Sequence, residues 1–380
     1  MHIIASLSGN GFHPAAWRAD HGRAWPVGRR FQDMARTAER GKLDAVLLGE
    51  TVGNHALRAS GHINGLNIDP LPLAGSLIAT TERVGLGAAW SVDYAEPFHV
   101  ARVMATLDHL CGGRIAWAAT MFDGADLKNG FKHAKAVTEA HAYNFRAIEF
   151  VEVVRKLWDS WEDRGFILDV ASGRFADPER VHPINHAGDF FTVRGPLNLP
   201  RPPQGNPPVI MHDPVTAAER LVIAKSADVI LTATTDPIDA RIQSGAIRTM
   251  VKEQGRNPDD VRLLAKLTLI LADTEAEALK LASDLDAMAS SEMMAALKET
   301  GGLRFAGTAE QLAHLMEQWV TIEACDGFNI RPAMLPHGLD LFVERVVPLL
   351  QARRLFRGDY GGATLREHLG LEHQASRYAA

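Results

Sequence analysis

Polar and aromatic side chains follow several apolar runs of this sequence, at the points where parallel strands would end. His13 and Trp17 follow Ile3–Leu7, Glu50 follows Asp44–Leu48, and Asp93 follows Val84–Ser91. A histidine can take up or release a proton near neutral pH, because its ordinary pKa is about 6.5. His13 is therefore the best candidate for acid–base chemistry. The alternative is a packed histidine whose ring satisfies a loop carbonyl group.

Short apolar runs alternate with amphipathic helical stretches, which is typical of parallel strands joined by crossover helices. The predicted strands are Ile3–Leu7, Asp44–Leu48, Val84–Ser91, Ile115–Met121, Pro208–Met211, Asp228–Ala233, Leu263–Leu271 and Gly327–Pro332. Eight such units predict an α/β fold, the closed (β/α)8 or TIM barrel, whose active face is formed by the C-terminal ends of the strands. An open doubly wound sheet is the alternative, but no Gly-x-Gly-x-x-Gly follows a predicted strand.

One stretch departs from this alternation of strands and helices. Residues 163–208 are rich in Pro, Gly and Asp and include a hairpin-like segment, His182–Val193. We interpret them as an insertion between strands 4 and 5 that lies across one end of the barrel. Residues 1–371 then form a single barrel domain, and residues 372–380 a frayed tail. Further along, the periodicity predicts one long helix over Thr274–Lys298, and the stretch from Ala278 to Thr308 is short.

Composition and charge narrow the function classes. The net charge is −6 and the Lys and Arg residues are scattered, so we expect neither nucleic acid nor an anionic membrane as a partner. The two cysteines, Cys111 and Cys325, lie far apart and predict neither a disulfide framework nor a zinc site. No basic segment precedes an apolar stretch at the N-terminus, so no signal peptide is indicated and we expect a cytoplasmic protein.

Several long stretches carry a family resemblance. They include GFHPAAWR (Gly11–Arg18), ARTAERGKLDAVLLGE (Ala35–Glu50), TERVGLGAAWSVDYAEPFHVARVMATLDHLCGGR (Thr81–Arg114) and DGFNIRPAMLPHGLDLFVERVVPLLQARRLFRGDYGGATLREHLGL (Asp326–Leu371). Over nearly its whole length the chain resembles the nitrilotriacetate-monooxygenase branch of the luciferase-like flavin monooxygenases, which includes the large subunits of sulfone and pristinamycin monooxygenases. The resemblance implies a barrel that binds reduced FMN from a separate flavin reductase and uses O2 to oxygenate a small organic substrate.

The resemblance also implies flavin contacts after strands 2 and 3. Glu50 stands where the family usually has aspartate and keeps a carboxylate, although a surface or capping role is the alternative. Ser91 matches the family, Asp93 replaces a threonine, and Trp90 replaces a small residue where the flavin ring would lie. The alternative for Trp90 is a core position facing a helix. His13 and Trp17 match positions that relatives place beside the flavin or substrate.

In the helix after strand 4, His141 and Tyr143 are each displaced by one position from the family's His and Tyr. One helical step rotates a side chain by roughly 100°, so a flavin contact requires a shifted register, and a solvated helix face is the alternative.

After strand 5 the family has a Ser-rich phosphate site, and this chain has His212-Asp213-Pro214-Val215-Thr216. Pro214 lacks an N–H donor and Asp213 adds negative charge, so His212 and Thr216 are the remaining candidates for cofactor binding.

Three functional hypotheses follow. The first is an FMN-dependent monooxygenase with an altered cofactor site. The second is a non-catalytic relative or partner subunit, and the third is an enzyme that uses a different flavin-like ligand. Barrels of this type usually form dimers, so a homodimer or a heterodimer with a homologue is expected. His55, His62 and Asp93 lack the spacing of metal ligands, and no metal is predicted.

Overall fold

The computed structural model describes residues 1–19, 27–49, 68–121, 140–213, 216–299 and 301–378. The strands in these ranges are β1 His2–Leu7, β2 Ala45–Leu48, β3 Gly85–Ser91, β4 Ile115–Thr120, β5 Phe166–Asp169, β6 Arg174–Ala176, β7 His186–Ala187, β8 Thr192–Val193, β9 Val209–His212, β10 Val229–Thr232, β11 Arg262–Leu271, β12 Leu303–Gly307 and β13 Gly327–Pro332. The α-helices are α1 Ala16–Ala19, α2 Val27–Arg40, α3 Pro70–Ile78, α4 Pro97–Cys111, α5 Ala140–Trp158, α6 Ala217–Ser226, α7 Pro237–Glu253, α8 Glu275–Met288, α9 Ser291–Glu299, α10 Ala309–Thr321, α11 His337–Leu341, α12 Val347–Ala352 and α13 Leu365–His368.

Eight parallel strands close into a barrel in the order β1–β2–β3–β4–β9–β10–β11–β13, and β13 pairs with β1. The predicted (β/α)8 barrel is confirmed, and the predicted strand bounds agree with the observed ones to within one or two residues. The strands read as nearly continuous apolar runs because one face fills the barrel and the other is covered by helices.

Side chains on each barrel strand point alternately into the barrel and toward the surrounding helices. One buried cluster fills the interior, with strand residues Ile4, Ala45, Leu47, Ala89, Ala116, Ala118, Ile210, Val229, Leu231 and Leu264. The residues between them, such as Val46 and Trp117, belong to the larger core beneath the helices. This alternation decides which later residues on the same strands face the barrel interior.

The C-terminal segment closes the N-terminal end of the barrel. Leu365, Leu369 and Leu371 belong to the interior cluster, and Gly85 makes room for them, since a Cβ there would lie 2.6 Å from Leu365 Cδ1. The C-terminal ends of the strands are therefore the open end of the barrel, which we call the mouth.

The frayed tail predicted after Leu371 is wrong for residues 372–378. Arg201 Nη2 donates to Gln374 O (2.6 Å), Arg377 Nε donates to Asp159 Oδ2 (3.2 Å), and the Tyr378 ring stacks on His182 at 4.0 Å. Polar composition suggested disorder, but these contacts reach residues that are distant in sequence.

The segment 163–208 contains two small antiparallel hairpins, β5–β6 and β7–β8, and the second lies within the predicted His182–Val193. The segment packs along α5, where Glu149 accepts hydrogen bonds from Phe190 N (3.1 Å) and Phe191 N (2.8 Å). It returns beneath α4, where Gln204 Nε2 donates to Asp108 Oδ1 (2.6 Å). These contacts place the segment beside α5 and α4.

The predicted helix Thr274–Lys298 is wrong as a single element. It divides into α8 and α9 at Ala289–Ser290, and the short strand β12 follows and pairs with the C-terminal half of β11 outside the ring. β12 escaped prediction because it is short, bounded by glycines and only partly buried. No helix in the described ranges is long and apolar enough to cross a bilayer.

Candidate functional site at the barrel mouth

The barrel interior changes from apolar to polar along the strand direction. Continuing the alternation from the interior cluster puts polar residues on the inward face nearer the mouth: Ser6, Ser91, Thr120, His212, Lys266, Thr268, Asn329 and Arg331. Inside, Ser6 Oγ donates to Asn329 Oδ1 (2.9 Å). Because the opposite end is sealed by leucines, polar ligands can enter only from the mouth.

Three predicted residues meet at the end of β3. The Tyr143 hydroxyl donates to Asp93 Oδ2 (2.6 Å), and the Ser91 hydroxyl donates to the same oxygen (3.3 Å). Asp93 N in turn donates to Ser91 Oγ (3.0 Å). The expectation that the helix register had to shift before Tyr143 could reach the site therefore does not hold. Its partner is the carboxylate that replaces the family's threonine.

Thr120 lies beside this group. It is the register partner of Ser91 on the neighbouring strand β4, and it is 7% exposed. Its hydroxyl has no hydrogen-bond partner among the described residues. A buried hydroxyl without a partner is costly, so this position is suited to a ligand that supplies one.

The end of β9 carries a second fixed carboxylate. Gln243 Nε2 donates to Asp213 Oδ1 (2.8 Å) and Oδ2 (2.9 Å), and Ala233 N donates to Oδ2 (3.2 Å). Gln243 is itself held by the Thr234 hydroxyl. His212 precedes Asp213 on the strand and is half-buried.

Thr216, a predicted phosphate contact, is the N-cap of α6. Its hydroxyl accepts from Glu219 N (3.2 Å), and the Glu219 carboxylate accepts from Thr216 N (3.1 Å). This reciprocal capping box satisfies two of the N–H groups that an anion would otherwise use.

His13 joins the loop after β1 to α8. Its Nδ1 accepts from Ala15 N (3.1 Å), so Nε2 carries the proton and donates to Asp286 Oδ1 (2.9 Å). Burial lowers the pKa of His13, although Asp286 opposes the change. Burial raises the pKa of Asp286, but hydrogen bonds from His13 and Arg304 outweigh it and hold that pKa below its ordinary value. Both ring nitrogens are thus engaged, by a loop amide and a carboxylate.

The remaining predicted residues are not brought into this group. Trp90 alternates with the inward-facing Ala89 and Ser91 and packs against the outer core, which favours the alternative of a core position facing a helix. Its carbonyl accepts from Trp117 Nε1 (3.0 Å). Trp17, on α1, is 46% exposed. Glu50, His55, His62 and the side chain of His141 lie outside the described residues.

Sequence reasoning missed Thr120, Gln243 and Asp286. Strand alternation from Ala116 and Ala118 would have placed Thr120 inside the barrel. Gln243 and Asp286 had no comparable signal, because each reaches the mouth from the middle or end of a long amphipathic helix. Within the described ranges, no three His, Cys, Asp or Glu side chains are grouped so that they could hold a metal ion.

A closed parallel barrel with a polar mouth at its strand C-termini is the architecture of a barrel enzyme. Residues 10–324 match the family model of luciferase-like monooxygenases. The chain belongs to the luciferase-like monooxygenase family.

Similar proteins match over nearly the full length. An N-acetyl-S-(2-succino)cysteine monooxygenase of Bacillus subtilis (strain 168) is 36% identical, covering 98% of this chain and 97% of the relative. Component A of nitrilotriacetate monooxygenase from Aminobacter aminovorans is 31% identical over 95% and 94% of the two chains. The solved structure of an EDTA monooxygenase from Chelativorans sp. BNC1 is 26% identical, with a TM-score of 0.83 and 98% coverage of both chains.

Proposed function

We propose that this chain is the oxygenase component of a two-component flavin monooxygenase. It takes reduced flavin from a separate reductase and oxygenates a small organic substrate at the barrel mouth. The observation that carries the proposal is the full-length similarity to named monooxygenases, together with a polar mouth on a barrel sealed at its other end. FMN is the flavin that the family resemblance implies.

The residues present fit a flavin ring. A flavin ring carries carbonyl oxygens and ring nitrogens at one edge, which can both donate and accept hydrogen bonds. The Thr120 hydroxyl lacks a partner in the described structure, and Ser91 lies directly beside it on β3. The described residues at the start of α6 do not fit a phosphate group, because the capping box and Asp213 occupy that position. The described residues therefore fit the flavin ring that the resemblance implies, but they do not fit its phosphate group.

Within this function the chain supplies orientation and exclusion of water, while the reduced flavin supplies the electrons that activate dioxygen. Ser91 and Thr120 would bind the ring edge, and Tyr143 fixes the direction of the Asp93 carboxylate. The leucine-sealed end of the barrel keeps bulk water from entering behind the ligand. His13 acts through the loop after β1, which it ties to α8, and both its ring nitrogens are already engaged.

The second hypothesis, a non-catalytic relative or partner subunit, draws no support from the full-length relatives named above, which are monooxygenases by name. The flavin reductase, the substrate and a homodimer or heterodimer remain proposals. A cytoplasmic location is also a proposal.

The test is direct binding followed by turnover. The purified protein is titrated into oxidised and anaerobically reduced FMN and riboflavin while flavin fluorescence is measured, and binding at tens of micromolar or tighter is expected. With NADH and a flavin reductase, O2 uptake should then rise on addition of a substrate from a panel that begins with N-acetyl-S-(2-succino)cysteine and nitrilotriacetate. If none of the four flavin forms binds at that concentration, the proposal is contradicted.

A further inference from the structure

Two carboxylates flank β4 at the mouth, Asp93 after β3 and Asp213 after β9. Each is held by uncharged donors: Tyr143 and Ser91 on one side, Gln243 and Ala233 N on the other. Among the described residues, Asp213 has no lysine or arginine partner. Fixed carboxylates of this kind accept hydrogen bonds from ligand hydroxyl groups and repel ligand anions.

The helix that begins beside Asp213 is closed to anions by its own side chains. A helix N-terminus attracts phosphate through free N–H groups and a positive dipole end. At α6 the Thr216 hydroxyl takes the Glu219 N–H, and the Glu219 carboxylate takes the Thr216 N–H. A dianionic phosphate at this end would meet two carboxylates, Asp213 and Glu219, in place of two free donors.

Three other described helices that start at the mouth carry acidic side chains at the N-cap or in the first turn, although Glu96 makes no capping hydrogen bond. The N-cap of α4 is Glu96. The N-cap of α7 is Asp236, which accepts from Ile238 N (2.8 Å) and Asp239 N (3.0 Å). The N-cap of α8 is Thr274, in a capping box with Glu277.

Three described basic side chains near this end are poorly placed for a solvated phosphate. Arg146 donates to Val92 O (2.9 Å) and lies 4.9 Å over the Phe191 ring. Lys266 and Arg331 are on β11 and β13, across the barrel from β3 and β4, and are only 8% and 3% exposed. A phosphate that reached them would lose nearly all of its hydration, which is costly for a dianion.

We infer that this mouth recognises the ring and hydroxyl groups of a flavin and not its 5′-phosphate, because Asp213 and Glu219 close the α6 end to anions. The inference rests on the proposed function. Its consequence is that the phosphate adds little or nothing to binding, so FMN binds no more than about threefold more tightly than riboflavin.

The experiment compares dissociation constants of oxidised FMN and riboflavin by fluorescence quenching, on the full-length protein at low and moderate salt. We expect the two constants to agree within about threefold, or riboflavin to bind more tightly, with the difference shrinking as salt screens the charge. A recognised phosphate makes several charge-assisted hydrogen bonds, so FMN binding about tenfold or more tightly than riboflavin would overturn the inference. If neither oxidised flavin binds, the same comparison is made with the anaerobically reduced flavins, and failure of all four forms contradicts the proposed function itself, which is a separate outcome.

Two variants test the stated cause. Asp213→Asn and Glu219→Gln each remove one negative charge and keep one side-chain oxygen that can accept a hydrogen bond. Each should improve FMN binding relative to riboflavin by about threefold or more at low salt. The matched control, Glu253→Gln, makes the same charge change at the exposed far end of α7 and should leave the ratio unchanged. Thermal melts establish that all three variants fold. An unchanged ratio in both mouth variants would contradict the assigned role of Asp213 and Glu219.

Discussion

The environment of each carboxyl group in this chain decides what it does. Asp93 and Asp213 sit at strand ends among uncharged donors, while Asp286 is paired with His13 and Arg304. Asp108 is different, because it is buried in the last turn of α4 and its described hydrogen-bond partners are uncharged. It accepts hydrogen bonds from Gln204 N and Nε2 and from Ile115 N. Burial raises the pKa of Asp108 to about 7, and these hydrogen bonds offset the effect only in part.

The raised pKa of Asp108 predicts a pH-dependent stability. The folded state holds the proton up to about pH 7, whereas the unfolded chain releases it near pH 4. The contribution of Asp108 to the free energy of unfolding is therefore fully present below pH 4 and is lost as pH rises through 7. The free energy of unfolding should fall less between pH 5 and pH 8 in Asp108→Asn than in the parent, by about 1–3 kcal/mol. Urea denaturation at both pH values measures the difference.

The control for this prediction is Asp33→Asn, because Asp33 is an exposed carboxylate on α2 paired only with Arg36 in the described structure. The Asp33→Asn variant should show the same pH dependence of the free energy of unfolding as the parent. If Asp108→Asn keeps the full loss between pH 5 and pH 8, then Asp108 is already ionised at pH 5 in the folded protein.

At the scale of elements, the segment 163–208 is attached to the barrel chiefly through α5. Glu149 on that helix accepts from Phe190 N, Phe191 N and His186 Nε2. Burial raises the pKa of Glu149, but the hydrogen bonds from His186 and the two amides outweigh it and keep that pKa below its ordinary value. One ionised side chain therefore fixes the hairpin β7–β8.

Glu149→Ala should release that hairpin without unfolding the barrel. Each lost charge-assisted hydrogen bond is worth about 1.5–3 kcal/mol, so the Phe190 and Phe191 amides should exchange with solvent about tenfold faster or more. Hydrogen exchange read by mass spectrometry on peptides covering 182–193 measures this. Glu152→Ala, one turn further along and paired with Lys156, is the matched control. Equal exchange in the two variants would show that the hairpin is held elsewhere.

At the scale of the whole molecule, the last segment of the chain completes the barrel. Leu365 is fully buried against Gly85 and the interior cluster, and Arg366 Nη1 donates to Asn206 O (3.0 Å). Four of the strand residues in that cluster are alanines, including Ala45 and Ala116. The strands alone therefore leave space that the C-terminal leucines fill.

Leu365→Ala should lower the free energy of unfolding by about 2–4 kcal/mol, the usual cost of a cavity in a core that cannot collapse. Chemical denaturation gives the value. Leu110→Ala, at a leucine that is 65% exposed on α4, makes the same chemical change and should cost less than about 0.5 kcal/mol. Similar losses in both variants would mean that the leucines do not seal the barrel.

Much of this architecture could be predicted from sequence. The strand–helix alternation gave the barrel and most strand bounds, because a parallel strand is buried on both faces and reads as an apolar run. The end-of-strand position of Ser91 and Asp93 gave their place at the mouth, since the C-terminal ends of parallel strands all meet there. The site roles of His212 and Trp17 remain predictions.

Tertiary structure decided what local pattern could not. Trp90 points outward because strand alternation, fixed by its neighbours, overrides its place in a motif. His13 is committed to Asp286, 273 positions away, and residues 372–378 are ordered by partners more than 170 positions away. The sequence by itself determined the barrel and which end of it is the mouth. Partners such as Gln243 for Asp213 and Asp286 for His13 were set only when helices distant in sequence packed around the mouth, because burial and hydrogen bonding depend on all the neighbours in space.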